Sequence, residues 1–374
     1  MKTENDRAPR VLISGGGTGG HIFPALSIAD AVKRRWPDAE ILFVGAKGRM
    51  EMERVPQAGY EIEGLDVAGF DRKRLWRNFA VIFKLIRSLW KARRIVRRFK
   101  PDVVVGVGGY ASGPTLKAAQ RAGIPTVLQE QNSYPGVTNK LLAKKAIRIC
   151  TAYPDMERYF PAEKIIMTGN PTRKNLAQCP LTQAQAKEKL GFDPGRPLIL
   201  VVGGSLGAGT LNRFMSEYAT QLTDVASVLW QTGRNGYPEA EKTMDSLHAQ
   251  GKCLNIKATE FVTDMAAAYT SADLVVARAG AGTISELQNL GKAAILVPSP
   301  NVAEDHQRHN AEALSDRDAA VTVLDADADT QLFRAINDYM APERLAQLSE
   351  NIKNLALKDA DEKIVDVIAE ILNK

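Results

Sequence analysis

The chain is poor in cysteine, in histidine and in long apolar runs, and each shortage closes off a class of protein. Its three cysteines, Cys150, Cys179 and Cys253, are scattered and odd in number, with no pair at metal-ligand spacing. Neither a disulfide framework nor a metal module is therefore expected. No run reaches the ~18 consecutive apolar residues of a membrane-spanning helix. The opening MKTENDRAPR lacks the apolar segment of a secretory leader, so the expectation is a cytoplasmic protein with reduced thiols. Low-complexity tracts are also missing.

What is present is an ordinary globular composition in a long chain. At 374 residues, 45% apolar and 25% charged, it suits two domains better than one core. Apolar runs at 11–14, 41–44, 103–107, 126–129, 147–151 and 165–168 alternate with helical stretches. After Asn170-Pro171 the alternation resumes at 198–202, 228–231, 254–257, 274–277, 294–297 and 320–323. Strands alternating with helices imply α/β parallel sheets covered on both faces. The strandless stretch 169–196, with Pro171, Pro180 and Pro194, marks the boundary between domains at 1–170 and 171–358. A final helix, 359–374, is apolar at Ile364, Val367, Ile368 and Ile371 and must bury that face; the expectation is that it packs back on the first domain.

The same device occurs twice. VLISGGGTGGH (11–21) and LILVVGGSLGAG (198–209) are each an apolar run, a glycine cluster and a helical stretch. Such a turn leaves backbone N–H groups at a positive helix end, where phosphate binds. Two of them suggest two nucleotide-fold domains facing one cleft. Gly15, Gly17 and Gly20 match G-x-G-x-x-G, but the dinucleotide fingerprint wants an acid at the end of the second strand. That strand ends at Gly45, which counts against NAD. His21 follows the first loop; both a structural role and a role as base stay open for it.

Three further strand ends are polar or glycine-rich, and ligands of doubly wound sheets bind beyond such ends. They are Gly108–Gly113, Glu130-Gln131-Asn132, and 278–286, where Glu286 lies one turn into a helix and can accept from vicinal hydroxyls. PSPNVAEDHQRHNA (298–311) adds the mixed amides and carboxylates that sugars need.

Taken in order, GGGTGGHIFPAL, GVGGYASGP, EQN, NPTR, GGSLGA, TEFVTDMAAAY, RAGAGTISE and DHQRHNA resemble the MurG family over nearly the whole chain. That resemblance implies a two-domain GT-B glycosyltransferase, with two Rossmann-like domains facing a central cleft. It would carry N-acetylglucosamine from UDP-GlcNAc to the 4-hydroxyl of the MurNAc of lipid I, with inversion, in peptidoglycan synthesis. Residue by residue it implies that Val262 meets uracil through its backbone. Glu286 would bind the ribose over the turn Ala281, Gly282, Thr283, Ile284 and Ser285. Ser205 would contact phosphate, Arg173 would face the diphosphate, and His306 and Gln307 would read the sugar. Thr18, Gly19, Gly20 and Asn132 would close over the donor sugar. Gly15, Gly16 and Gly17 would cradle the acceptor diphosphate, and His21, Tyr110 and Glu130 would lie near the reacting atoms. His21 is the first choice of base and Glu130 the second. No cofactor or metal is implied, and no Asp-x-Asp pair is read in a strand–loop setting; fixed dipoles and Arg173 would stabilise the leaving group. The sequence departs from the family at Gln129, where His is frequent, and at Gly282, where larger apolar residues are common.

The net charge of +6 is uneven: residues 71–100 hold twelve Lys/Arg and one acid. Apolar Phe79, Ile82, Phe83, Ile86, Leu89 and Trp90 recur there at helical spacing among the basic residues, as in an interfacial helix. Part of that stripe is expected to be core, with Trp76, Phe79 and Phe83 as the expected lipid contacts. The partners expected are therefore UDP-GlcNAc, undecaprenyl-linked lipid I and an anionic membrane surface, with other cell-wall synthesis proteins as candidates. The expected location is the cytoplasmic face of the membrane, peripherally attached. No nucleic-acid module accompanies the basic helix. The rival readings are another GT-B lipid glycosyltransferase with a diacylglycerol acceptor, a GT-B-like epimerase, a membrane-associated nucleotide-binding scaffold and an NAD-dependent oxidoreductase.

Overall fold

A computed structural model describes residues 7–17, 19–67, 78–204, 206–252 and 255–373. It divides into two compact units, Met1–Thr172 with Leu357–Lys374, and Arg173–Ala356. Thr18, Ser205, Trp76 and the side chain of Phe79 lie outside the described residues.

The first unit is built on seven strands: β1 (Arg10–Ser14), β2 (Glu40–Ala46), β3 (Glu61–Leu65), β4 (Val103–Gly106), β5 (Thr126–Glu130), β6 (Arg148–Thr151) and β7 (Ile165–Met167). They pair in the order β3-β2-β1-β4-β5-β6-β7, all in parallel. β1 and β4 are nearly continuous apolar runs because helices cover both faces. Val11, Ile13, Val103, Val105 and Val127 meet Ala25, Ile28, Ala29 and Val32 of the helix Gly19–Arg35.

The C-terminal helix Ala360–Leu372 belongs to this unit, adding Ile364, Val365, Val367 and Ile368 to the same core. Each such buried aliphatic contributes roughly 1.5–3 kcal/mol. Arg34 donates to Asp361 at 2.5 Å and Arg35 to Asp366 at 2.9 Å, fixing the helix's angle across Gly19–Arg35.

The alternation read from sequence omits β3. Its sequence, EIEGL, is acidic and short, and it stands at the sheet edge beside the basic helix Asn78–Phe99. Ser88 donates to the Asp66 carbonyl, Lys91 Nζ donates to the Gly64 carbonyl at 2.8 Å, and Arg98 pairs with Glu63. One of the acids that disguise the strand, Glu63, also helps to dock the helix.

The second unit has six parallel strands: β8 (Leu198–Val202), β9 (Ser227–Gln231), β10 (Ile256–Thr259), β11 (Leu274–Ala277), β12 (Ala294–Leu296) and β13 (Val321–Thr322). Their order is β10-β9-β8-β11-β12-β13. Ile199, Val201, Phe214, Trp230, Val276 and Ile295 form its core.

Candidate active site

Strand order reverses between β1 and β4 in the first unit and between β8 and β11 in the second. Crevices for ligands open at such switch points, and both glycine clusters lie there, directly after β1 and β8.

In the first unit the two glycine turns touch backbone to backbone. Gly109 has φ +84°, and a Cβ on it would stand 2.2 Å from the Gly16 carbonyl oxygen. A Cβ on Gly108 (φ +92°) would meet the His21 ring at 2.9 Å, so the imidazole lies against the end of β4. Ser112 Oγ, buried, reaches the carbonyls of Ser14 at 2.6 Å and Gly108 at 2.8 Å, tying the turns together. Tyr110 follows, 53% exposed.

Glu130 is buried at the end of β5. One carboxylate oxygen accepts from the Asn132 N–H (3.1 Å) and Nδ2 (3.2 Å); the other accepts from the Gly136 N–H (3.2 Å) and Asn139 Nδ2 (2.9 Å). Burial pushes its carboxyl above the ordinary value, against the pull of those hydrogen bonds. Glu130 braces the turn that carries Asn132.

Gln129, the departure from the family, joins a buried amide network. Its Nε2 donates to Asn170 Oδ1 at 2.8 Å, Asn170 Nδ2 donates to the Gln131 carbonyl at 2.9 Å, and Gln131 Nε2 donates to the Gln129 side-chain oxygen and to the Val107 carbonyl.

Two of the Gly15–Gly17 amides already have partners within the unit. Gly15 N–H donates to the Val44 carbonyl at 3.3 Å and Gly17 N–H to Glu51 at 3.0 Å. The helix Gly19–Arg35 opens close behind this loop.

In the second unit Gly204 (φ +84°) and Gly207 (φ +88°) shape the loop. A Cβ on Gly207 would stand 2.2 Å from the Thr232 carbonyl oxygen. Gln231, 2% exposed at the end of β9, donates from Nε2 to the Gly204 carbonyl at 3.2 Å and accepts the Val262 N–H at 3.0 Å. The Val262 N–H is thereby committed to Gln231. Gln231 is a residue that sequence reasoning missed, because a glutamine closing an apolar strand carries no motif.

Glu286 sits in the helix Ala281–Leu290, whose first turn carries Ala281, Gly282, Thr283, Ile284 and Ser285. Its Oε1 accepts from Arg173 Nε (3.0 Å) and Nη2 (2.9 Å), and its Oε2 from the buried Tyr269 hydroxyl (3.0 Å). Burial raises the Glu286 carboxyl, and the charge and hydrogen bonds of Arg173 lower it. Arg173, expected toward the diphosphate, is turned onto Glu286. At Gly282 a Cβ would meet nothing within 4 Å, so the missing side chain leaves no packing defect.

Gln307 and His306 open the helix His306–Ser315, and Gln307 Oε1 accepts the Ser299 N–H at 2.9 Å. The preceding Glu304 and Asp305 both have positive φ, +56° and +50°, a strain that commonly accompanies binding turns. An Asp-x-Asp pair does follow a strand after all: Asp325-Ala326-Asp327, beyond β13. Asp325 is spent on Arg278 and on Thr210 Oγ1, the latter at 2.9 Å.

The basic helix exposes more apolar surface than expected. Phe83 is 62% exposed and Trp90 70%, with Leu85 and Ile86 also open; burial begins at Ser88 and continues at Ala92, Ile95 and Val96.

Comparison with known proteins agrees with this geometry. Residues 11–151 match the glycosyltransferase family 28 N-terminal domain, and 198–364 match its C-terminal domain. The UDP-N-acetylglucosamine–N-acetylmuramyl-(pentapeptide) pyrophosphoryl-undecaprenol N-acetylglucosamine transferase of Bacteroides fragilis is 56% identical, with 96% of each chain covered. The protein of the same description from Porphyromonas gingivalis is 52% identical over 100% of this chain and 98% of its own. The crystal structure of Acinetobacter baumannii MurG superposes with a TM-score of 0.78 at 29% identity, covering 97% of this chain and 99% of that one. Two doubly wound parallel-sheet units matching both family 28 domains make the fold GT-B. With relatives this similar over nearly its whole length, the chain belongs to the MurG family of N-acetylglucosaminyltransferases.

Proposed function

We propose the following division of labour for this family member. The second unit holds UDP-GlcNAc and the first holds lipid I, the pyrophosphoryl-undecaprenol-linked MurNAc-pentapeptide. The observation that carries this reading is the contrast at the two switch points. The second unit carries, on the helix that follows β11, a largely buried carboxylate suited to ribose hydroxyls, whereas the first-unit loop has a histidine against its neighbouring turn.

In this mechanism the MurNAc 4-hydroxyl oxygen attacks the anomeric carbon of GlcNAc. The bond from that carbon to the β-phosphate oxygen breaks, UDP leaves with the electron pair, and the configuration inverts. The hydroxyl proton passes to His21. Glu130 already receives four donors, so its role is to hold the Asn132 turn rather than to take the proton. Tyr110, exposed on its glycine turn, meets the acceptor. Ribose hydroxyls compete with Arg173 for Glu286, and Arg173 so released turns to the diphosphate. There it acts with the second loop and the Ala281–Leu290 helix N-terminus in place of a cation. Val262 contributes its carbonyl to the base, and His306 and Gln307 meet the sugar.

No helix of the described residues is long and apolar enough to cross a membrane. The proposed attachment to the cytoplasmic face is peripheral, through Phe83, Ile86 and Trp90 among the arginines of the basic helix. Each basic side chain near an anionic surface adds about 1 kcal/mol.

The test is incubation of the purified protein with UDP-GlcNAc and a soluble lipid I analogue. Transfer giving a β-linked product is expected. No transfer, with activity on diacylglycerol instead, would overturn the assignment of acceptor.

A further inference from the structure

β2 ends at Gly45 and Ala46 without the acid of a dinucleotide site, yet an acid reaches the first glycine loop from farther along the chain. Glu51 opens the short helix Glu51–Gln57 and is 1% exposed. Its Oε2 accepts the Gly17 N–H at 3.0 Å and its Oε1 accepts the Ala46 N–H at 2.9 Å. A Cβ on Gly16 would fall 2.2 Å from Glu51 Oε1, and a Cβ on Gly45 would fall 2.6 Å from Glu51 Cγ. The carboxylate therefore fills the space that both glycines leave. Gly45 is a glycine because Glu51 stands where its side chain would be.

Among the described residues no lysine or arginine pairs with Glu51, so backbone N–H groups are what hold it. In return it holds them. Gly16 (φ +141°) and Gly17 (φ +96°) adopt conformations that strongly favour glycine, and such a turn needs an external partner to keep one shape. Gly16 in turn touches Gly109, next to the turn at His21.

We propose that Glu51 is a positioning residue for the acceptor reaction. It draws the Gly17 amide inward, fixes the first loop, and through Gly16 and Gly109 sets the turn against which His21 lies. The inference rests on the reading of the first unit as the acceptor side. Two acceptor oxygens are required, so a glutamine, with one oxygen, leaves a backbone N–H facing an NH₂ group. An aspartate, one methylene shorter, cannot span both amides.

The test is steady-state kinetics of E51Q, E51D and G45A with UDP-GlcNAc and a soluble lipid I analogue, together with UDP binding by calorimetry. E51Q is expected to lower acceptor kcat/KM about ten- to hundredfold while donor KM and UDP affinity stay within about twofold. E51D should be intermediate, and G45A, which displaces Glu51 without removing it, should show the same split. A merely structural role would lower the active fraction, so that kcat falls with acceptor KM and donor KM both unchanged. Acceptor kcat/KM unchanged in E51Q, or a matching rise in donor KM, overturns the proposal. If E51Q fails to fold, E51D and G45A carry the same two outcomes. A wild-type protein that transfers nothing would count against the assigned reaction, whereas an active wild type with an unaltered variant counts against Glu51 alone.

Discussion

The two glycine loops share a fold position and differ in what holds them. The first is held by an acid: Glu51 accepts Gly17 N–H, and Val44 takes Gly15 N–H. The second is bridged by a neutral amide: Gln231 donates to the Gly204 carbonyl, while the Gly203 and Gly207 N–H groups go to the backbone carbonyls of Gln231 and Gly204. Both loops spend part of their donors; the difference is that a carboxylate takes one of them in the first loop. A glycine-rich strand–helix turn is therefore not by itself an anion site. Its residual N–H groups decide, and those depend on side chains from neighbouring strands.

Breaking the first loop should abolish chemistry and leave nucleotide binding intact. Gly109→Ala drives a Cβ into the Gly16 carbonyl, and His21→Ala removes the proposed base. Each should cut transfer about a hundredfold or more, with UDP affinity unchanged by calorimetry.

Breaking the second site should do the reverse. Glu286→Ala leaves Arg173 and Tyr269 without their shared acceptor. Donor KM should rise roughly ten- to hundredfold, as for the loss of charged hydrogen bonds, with acceptor KM unchanged.

Gln231→Leu tests the amide itself. It strands the Gly204 carbonyl and the Val262 N–H, and UDP affinity should fall about tenfold. An unchanged affinity would mean the loop keeps its shape unaided.

The smallest effect sharpens the contrast between required and incidental glycines. Gly282→Ala meets open space inside a helix. It should leave donor KM alone and raise the thermal midpoint, from a gain of roughly 0.5–1 kcal/mol.

The fold was legible because parallel strands buried on both faces read as apolar runs; VVVG at β4 and LILVV at β8 need little else. β3 was illegible for the opposite reason, since an acidic edge strand, with Glu63 paired to a basic helix, loses the apolar signature. The glycine loops and Glu286 announced themselves through composition. Glu51 did not, because it lies five residues past the strand end and acts by folding back, a relation set by tertiary packing. The same holds for Gln231 and for the Arg173–Glu286 pair, 113 residues apart. On the basic helix, periodicity identified the amphipathic element but could not say where burial starts. Trp90 is exposed because it lies on the face of the helix opposite the buried Ser88, Ala92, Ile95 and Val96.

The central claim is that only the second loop serves a nucleotide diphosphate, and calorimetric UDP stoichiometry tests it most directly. One UDP per chain is expected, lost in Gly207→Ala, whose Cβ would collide with the Thr232 carbonyl, and retained in Gly109→Ala. Two UDP per chain, or binding that survives Gly207→Ala and vanishes in Gly109→Ala, would contradict it.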